Sequence, residues 1–116
     1  MFETLIQKLQ EDKYLTLETT PQHEPSMHNI IERIKKFKLQ DRVDGFSCTD
    51  NPLAKLKYNA LFASLKLQME FKKPVIATMS MRDRNKIALQ SDLMGANDFD
   101  VRAILALTGD PAKMSD

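Results

Sequence analysis

The sequence predicts an α/β protein assembled from parallel βα units. Three observations lead there. Apolar runs of strand length begin at Tyr14, Val43, Val75 and Arg102, about thirty residues apart. A helix-like pattern fills each gap between them. An antiparallel return needs only a short turn, whereas a parallel one needs a crossover of a dozen residues or more, so gaps of this length with one helix each are the rhythm of βαβ units.

Each element has its own signal. Phe2, Leu5, Ile6 and Leu9 stand at helical spacing and open the chain on an amphipathic helix. Tyr14-Leu15-Thr16-Leu17 follows as the first strand and stops at Glu18-Thr19-Thr20-Pro21. Pro25-Ser26 starts the next helix, where Met27, Ile30, Ile31, Ile34 and Phe37 share one face and Glu32, Lys35, Lys36 and Lys38 take the wet side. The second strand runs from Val43 through Phe46 to Cys48 and ends in the turn-forming set Thr49-Asp50-Asn51-Pro52. Ala54, Tyr58, Leu61, Phe62, Leu65 and Met69 line a further helix, flanked by Lys55, Lys57 and Lys66 and closed by Lys72-Lys73-Pro74. Val75 to Met79 is the third strand; after it come the polar knot Ser80 to Asn85 and a helix to about Asn97, weakened near its end by Gly95. Arg102 to Leu107 makes the fourth and most apolar strand, terminated by Thr108-Gly109-Asp110-Pro111. Met69, Met79, Met81 and Met94 fall on or beside apolar elements and are expected as core filling.

Size and charge narrow the function classes. The 116 residues suit one unit spanning 1–116 with a single core. Seventeen Lys and Arg against sixteen Asp and Glu leave a net charge of +1, which disfavours bulk nucleic-acid binding. The longest apolar run, Ala103 to Leu107, falls far short of the roughly 20 residues of a membrane span. Glu3, Gln7 and Lys8 interrupt the first ten residues, unlike a secretory signal, and the single Cys48 agrees with a reducing compartment; a cytoplasmic protein is expected. A closed eightfold barrel takes roughly 250 residues, so four strands with their helices amount to half of one. An open doubly wound sheet has the same rhythm, and rhythm does not separate the two.

Ligands of either architecture gather beyond the carboxyl ends of the strands, and those positions are unusually polar here. Glu18, with no Lys or Arg beside it in sequence, is either a general acid toward a substrate nitrogen or a loop carboxylate capping the Thr19 and Thr20 amides. Asp110 either accepts hydrogen bonds from a heterocycle or caps the turn that Gly109 permits. Arg82, Asp83 and Arg84 form either an anion site at the opening of a helix or an internal ion-pair network. Thr49-Asp50-Asn51-Pro52 also reads as a helix-capping turn. His23 and His28 have no third ligand near them and are expected as surface residues, with no metal site. Phosphate loops of dinucleotide or P-loop type, a serine nucleophile elbow and zincin motifs are missing from the sequence.

Taken in order, Leu17-Glu18 with Pro21, Thr49-Asp50-Asn51-Pro52, Arg82-Asp83-Arg84-Asn85 and Leu107-Thr108-Gly109-Asp110-Pro111 resemble methylenetetrahydrofolate reductase. The resemblance runs from about Tyr14 to Pro111 and is closest to divergent members with a segment like Ile87 to Ala96 after the arginine knot. It implies the N-terminal half of a TIM (β/α)8-type barrel, covering the first four strands. It also implies FAD as cofactor, a folate substrate, and hydride from a reduced nicotinamide or a redox-protein donor. The reaction would be reduction of 5,10-methylenetetrahydrofolate to 5-methyltetrahydrofolate, in one-carbon metabolism and methionine biosynthesis. By the same resemblance Glu18 is the acid toward the folate nitrogen and Asp110 the aspartate near flavin and pterin. Thr49, Asp50, Arg82, Asp83, Thr108 and Gly109 complete the expected cofactor site. Two positions depart from the family pattern: Thr78 stands where many members have histidine, and Thr108 where many have arginine. A half-barrel exposes a strand edge and core facing its missing half, so self-association or a second subunit is expected. The alternative is a noncatalytic truncated fragment, or a structural partner of a methyltransferase or reductase.

Overall fold

Residues with alternating faces and strong β preference pair along four short strands: β1 (Thr16–Thr19), β2 (Gly45–Cys48), β3 (Val75–Ser80) and β4 (Ala103–Leu107). The computed structural model describes residues 1–11 and 13–112, so the predicted unit 1–116 runs past the described residues at its end. The strands form one sheet in the order β1-β2-β3-β4, and every neighbouring pair is parallel. Helix α1 (Phe2–Gln10) precedes β1, and α2 (His28–Lys36), α3 (Ala60–Phe71) and α4 (Lys86–Asp98) fill the three crossovers.

Which face the helices cover separates the two topologies left open by the rhythm. Phe46 and Cys48 lie on one face of β2 and pack against both α2, through Met27, Ile31 and Ile34, and α3, through Ala60, Ala63 and Leu67. Cys48 is in register with Ala77 of β3, and Ala77 and Met79 meet Leu61 of α3 and Ala96 of α4. All three crossover helices therefore lie on the same side. Strands in sequential order joined by right-handed crossovers require this, whereas a doubly wound sheet carries helices on both faces. The chain is a parallel α/β sheet arranged as one half of a (β/α)8 barrel.

The other face runs along the register line Glu18–Ser47–Ile76–Ala103 and continues in Thr78, Ser80, Leu105 and Leu107. No crossover helix covers it. Helix α1 lies across the amino ends of the strands, with Leu5 buried, the Met1 amine 3.3 Å from Asp100 before β4 and Lys8 3.7 Å from Asp44 before β2. Just above it Gly45 packs so tightly that a Cβ there would fall 2.1 Å from the Tyr14 hydroxyl and 2.4 Å from the Pro74 carbonyl.

Four expectations shift. Glu18 and Thr19 lie inside β1 rather than after it, because their backbones pair with Ser47 and Cys48 and the Thr19 hydroxyl donates to the Ser47 carbonyl. The helix expected from Ala54 begins only at Ala60. Asn51, Leu53 and Ala54 have positive φ, which breaks the helix, and the Asn59 side chain caps the true start by accepting from the Phe62 N–H at 3.0 Å. Helix α3 is also rotated from the expected face: small residues Ala60, Ala63 and Ser64 meet the sheet, leaving Phe62 61% exposed. Finally, only Met79 of the four expected core methionines is fully buried; Met81 is partly covered, and Met69 and Met94 lie on exposed helix surface.

Candidate functional site

At the carboxyl ends of the strands the uncovered face curls into a cavity of about 360 Å³, near the low end of the roughly 300–1,000 Å³ usual for small-molecule sites. Glu18 of β1 and Leu107 of β4 both line it, so the sheet is concave and its two outer strands face one space. Thr49 and Asp50 enter from the end of β2, and Thr108, Gly109 and Asp110 from the turn after β4. Of the residues expected at the site, Arg82 and Asp83 stand outside this lining.

Asp50 ties the ends of β2 and β3 together. Its buried carboxylate accepts from the Ser80 N–H at 2.8 Å and from Arg84 Nη1 at 2.5 Å. The same guanidinium donates to the Ser80 carbonyl at 2.8 Å and to Asp92 at 3.2 Å. Burial opposes the charge on Arg84, yet its bonds to Asp50 and Asp92 hold its pKa above the ordinary arginine value. Arg82 is bonded to Asp83 through Nε and Nη2, which raises the arginine and lowers the carboxyl. Its Nη1 reaches the Asp110 carbonyl at 3.0 Å. The arginine knot of this chain is thus an internal ion-pair network, and both guanidinium groups are engaged with protein acceptors.

Asp110 closes the other side. Its carboxylate accepts from the Leu53 N–H at 2.5 Å, holding the turn after β2, whose Asn51, Leu53 and Ala54 all adopt left-handed backbone. Asn51 steadies the same turn by accepting from the Lys57 N–H at 2.8 Å. Gly109 has φ +92, and a Cβ there would fall 2.3 Å from Ser80 Oγ and 3.0 Å from the Arg82 Cβ. Only glycine fits that corner.

The remaining site residues keep unused hydrogen-bonding capacity. The Thr49 hydroxyl is buried and has no hydrogen-bond partner among the described residues. Glu18 and Thr108 are exposed at the rim and make no side-chain hydrogen bond or ion pair among the described residues. The family model for methylenetetrahydrofolate reductase matches residues 2–116. The chain belongs to that family. No curated protein and no solved structure matches it.

Membership in the methylenetetrahydrofolate reductase family makes this an oxidoreductase-type chain of folate metabolism. The lining of the cavity suits the ring end of a flavin: Leu105 and Leu107 offer an apolar face, and Thr49 has an orphaned hydroxyl. No lysine or arginine lines it among the described residues, so the FAD diphosphate finds no counter-charge there. The fit is to the ring and not to the whole dinucleotide.

Sequence reasoning placed Ser80 at a strand end and Thr78 at a family contact position, but missed Leu105 and Leu107 as cavity residues. The signal for their face was the period of two: in parallel strands both faces are usually apolar, and Thr78 with Ser80 breaks that pattern on one face of β3. Asp92 as second partner of Arg84 had no local signal, since it comes from the next element. His23 and His28 are exposed. Cys48 is buried with its sulfur 3.3 Å from the Thr19 hydroxyl; burial pushes the thiol up, against hydrogen bonding with Thr19 and Ser64. A raised, enclosed thiol is a poor nucleophile. No helix among the described residues is long and apolar enough to cross a membrane.

Proposed function

We propose that this chain supplies the strand ends that hold the flavin ring and the folate in reduction of 5,10-methylenetetrahydrofolate to 5-methyltetrahydrofolate. One observation carries the reading: the ends of all four strands converge on a single cavity bearing Glu18, Thr49 and Asp110, which stand in the motifs that resemble the family's, with Thr108 beside them where many members have arginine. FAD, once reduced by the nicotinamide or redox-protein donor, would supply the hydride. Thr49 donates to the ring, and the Thr108–Gly109 backbone, kept low by the bare glycine, lets the ring approach. Glu18 carries the proton for the folate nitrogen, and ligands lying over it provide the cover it lacks in the bare chain. Asp110 remains anchored to Leu53 and faces the pterin with its second oxygen.

Exposure of Leu105 (51%) and Leu107 (46%), together with the missing counter-charge for the diphosphate, favours a chain that completes this site only with a second half-barrel. The same two facts support a second reading, in which the isolated chain binds a ring ligand without turnover. The experiment is flavin retention by the purified chain, read from the absorbance of the protein peak after gel filtration. Reoxidation of prereduced flavin by methylenetetrahydrofolate is followed next, in the wild type and in Glu18→Gln. Retained flavin, with folate turnover lost only in Glu18→Gln, supports the first reading. Retention with no turnover in the wild type supports the second, and failure to retain flavin at any concentration refutes the second and excludes turnover by the chain alone.

A further inference from the structure

On the outer side of the sheet, helices α3 and α4 leave a groove of about 160 Å³ between them. Its floor is the buried set Leu61, Ala96 and Val101. Phe62 and Leu65 form the wall on α3, and Phe99 stands at the end of α4. Floor and walls come from two consecutive crossover helices and the chain that joins α4 to β4, so the groove owes nothing to either edge of the sheet. Gly95 keeps it open. This glycine lies inside α4, without left-handed backbone, and no atom stands within 4 Å of where its Cβ would be. Glycine weakens a helix relative to alanine, and neither packing nor backbone conformation requires it here. What the missing side chain provides is space beside Phe62 and Phe99, two rings left 61% and 57% exposed.

The groove is apolar but carries charge. Asp92 lines it together with Asn59 and Ser91, and no lysine or arginine does among the described residues. Asp92 is bonded to Arg84, but that guanidinium is already paired with the buried Asp50 carboxylate at 2.5 Å. Two carboxylates against one guanidinium leave a net negative charge. Asp92, 39% exposed against 2% for Asp50, is the member that a ligand can reach. The polar groups gather at one end. Gln68, late in α3, donates to the Phe99 carbonyl at 2.9 Å, which sets Phe99 beside the later turns of α3. Asp92 lies two turns earlier on α4, toward the Asn59 cap of α3. A dry apolar cavity of about 150 Å³ holds one benzene ring, exposed aromatic walls favour an aromatic partner, and a carboxylate takes an ammonium in a charge-assisted bond. We infer that the groove between α3 and α4 binds a small organic cation, a single-ring arylalkylammonium, with its ring over Gly95 against Phe62, Leu65 and Phe99 and its ammonium on Asp92.

The test is made on the chain without flavin, so its outcome is separate from that of the flavin reading. Phenethylammonium is the probe, with phenethyl alcohol and phenylacetate as its neutral and anionic counterparts; titration calorimetry reads binding and urea unfolding reads stability. The ammonium should bind roughly tenfold more tightly than the alcohol, the worth of one hydrogen bond to a charged group, and phenylacetate should not bind. Asp92→Asn should bring the ammonium down to the affinity of the alcohol. Gly95→Ala should raise the urea midpoint yet weaken the ammonium several-fold, and Gly95→Leu should abolish its binding. Lost binding with gained stability is not the behaviour of a glycine that serves the fold alone. Equal affinity of ammonium and alcohol in the wild type, undiminished binding in both Gly95 variants, or no binding of the ammonium at millimolar concentration each overturns the inference. So does a wild type whose mass by light scattering falls in Phe62→Ser, because the groove is then the seat of a second copy.

Discussion

Replacing Asp50 by alanine tests whether the strand ends are tied as the structure indicates. The carboxylate is 2% exposed and Arg84 12%, so removal strands a mostly buried guanidinium with only the Ser80 carbonyl and the more exposed Asp92. Breaking a buried pair by removing one partner costs about 3–5 kcal/mol. The Ser80 N–H also loses its acceptor, but the two losses share one carboxylate and do not add. A chain of this length has a total stability of roughly 6–17 kcal/mol, so about a third of it is at stake. With a urea slope near ~2 kcal/mol/M, the midpoint followed by circular dichroism should fall by about 1.5–2.5 M. Asp50→Asn keeps an acceptor for Ser80 but not the charge facing Arg84, and should fall between alanine and wild type. Glu70→Gln, which breaks an exposed pair with Lys35, should leave the midpoint nearly unmoved. An Asp50→Ala midpoint within about 0.5 M of wild type would refute the tie, since a solvated pair loses no more than that.

Gly109→Ala should lower the midpoint and weaken flavin retention together, because the new Cβ meets Ser80 and Arg82 and the backbone leaves φ +92 only with strain; an unaffected variant would show that the corner gives way easily. Thr49→Val should stabilise the chain by about 1 kcal/mol by removing a buried hydroxyl without a partner, while weakening flavin retention; equal retention by the two proteins would remove Thr49 from the ring site. Burial, with the Asp44 charge adding to it, pushes the Tyr14 hydroxyl up to about 12 from 10.0. Its neutral form is favoured in the folded state, so the stability it contributes is complete below pH 10 and is lost as pH rises toward 12. Urea midpoints across that window should fall less steeply in Tyr14→Phe than in wild type, and parallel slopes would exclude Tyr14 as the cause.

The strands and their order of helices were legible because period and spacing are local properties. Element ends were less so. Thr19 extends β1 only because Ser47 and Cys48 lie beside it, and α3 starts at Ala60 because Asp110, fifty-seven residues past Leu53, holds the preceding turn. Choosing the inner face of α3 by side-chain size put Phe62 and Met69 inside. The sheet instead takes the face of Ala60, Ala63 and Ser64, where the Ser64 hydroxyl is satisfied by the Ala60 carbonyl at 2.8 Å. Barrel and open sheet differ only in which face each crossover covers, a long-range property that alternation along one strand does not carry.

The polar strand ends divide by what their hydrogen-bonding groups already do. Asp50, Arg82, Asp83 and Arg84 spend theirs on one another and on Ser80, Asp92 and Asp110. Glu18, Thr49 and Thr108 spend none on side-chain partners among the described residues. Asp110 belongs to both sets: one oxygen accepts from Leu53, and the residue lines the cavity. Substitutions in the first group should therefore act through stability, and any loss of ligand should follow the urea midpoint. Substitutions in the second should change ligand binding at constant or improved stability. Asp110→Asn is the joint case: it keeps an acceptor for the Leu53 N–H and removes the charge from the cavity, so what it loses in binding beyond its midpoint shift measures the second role alone.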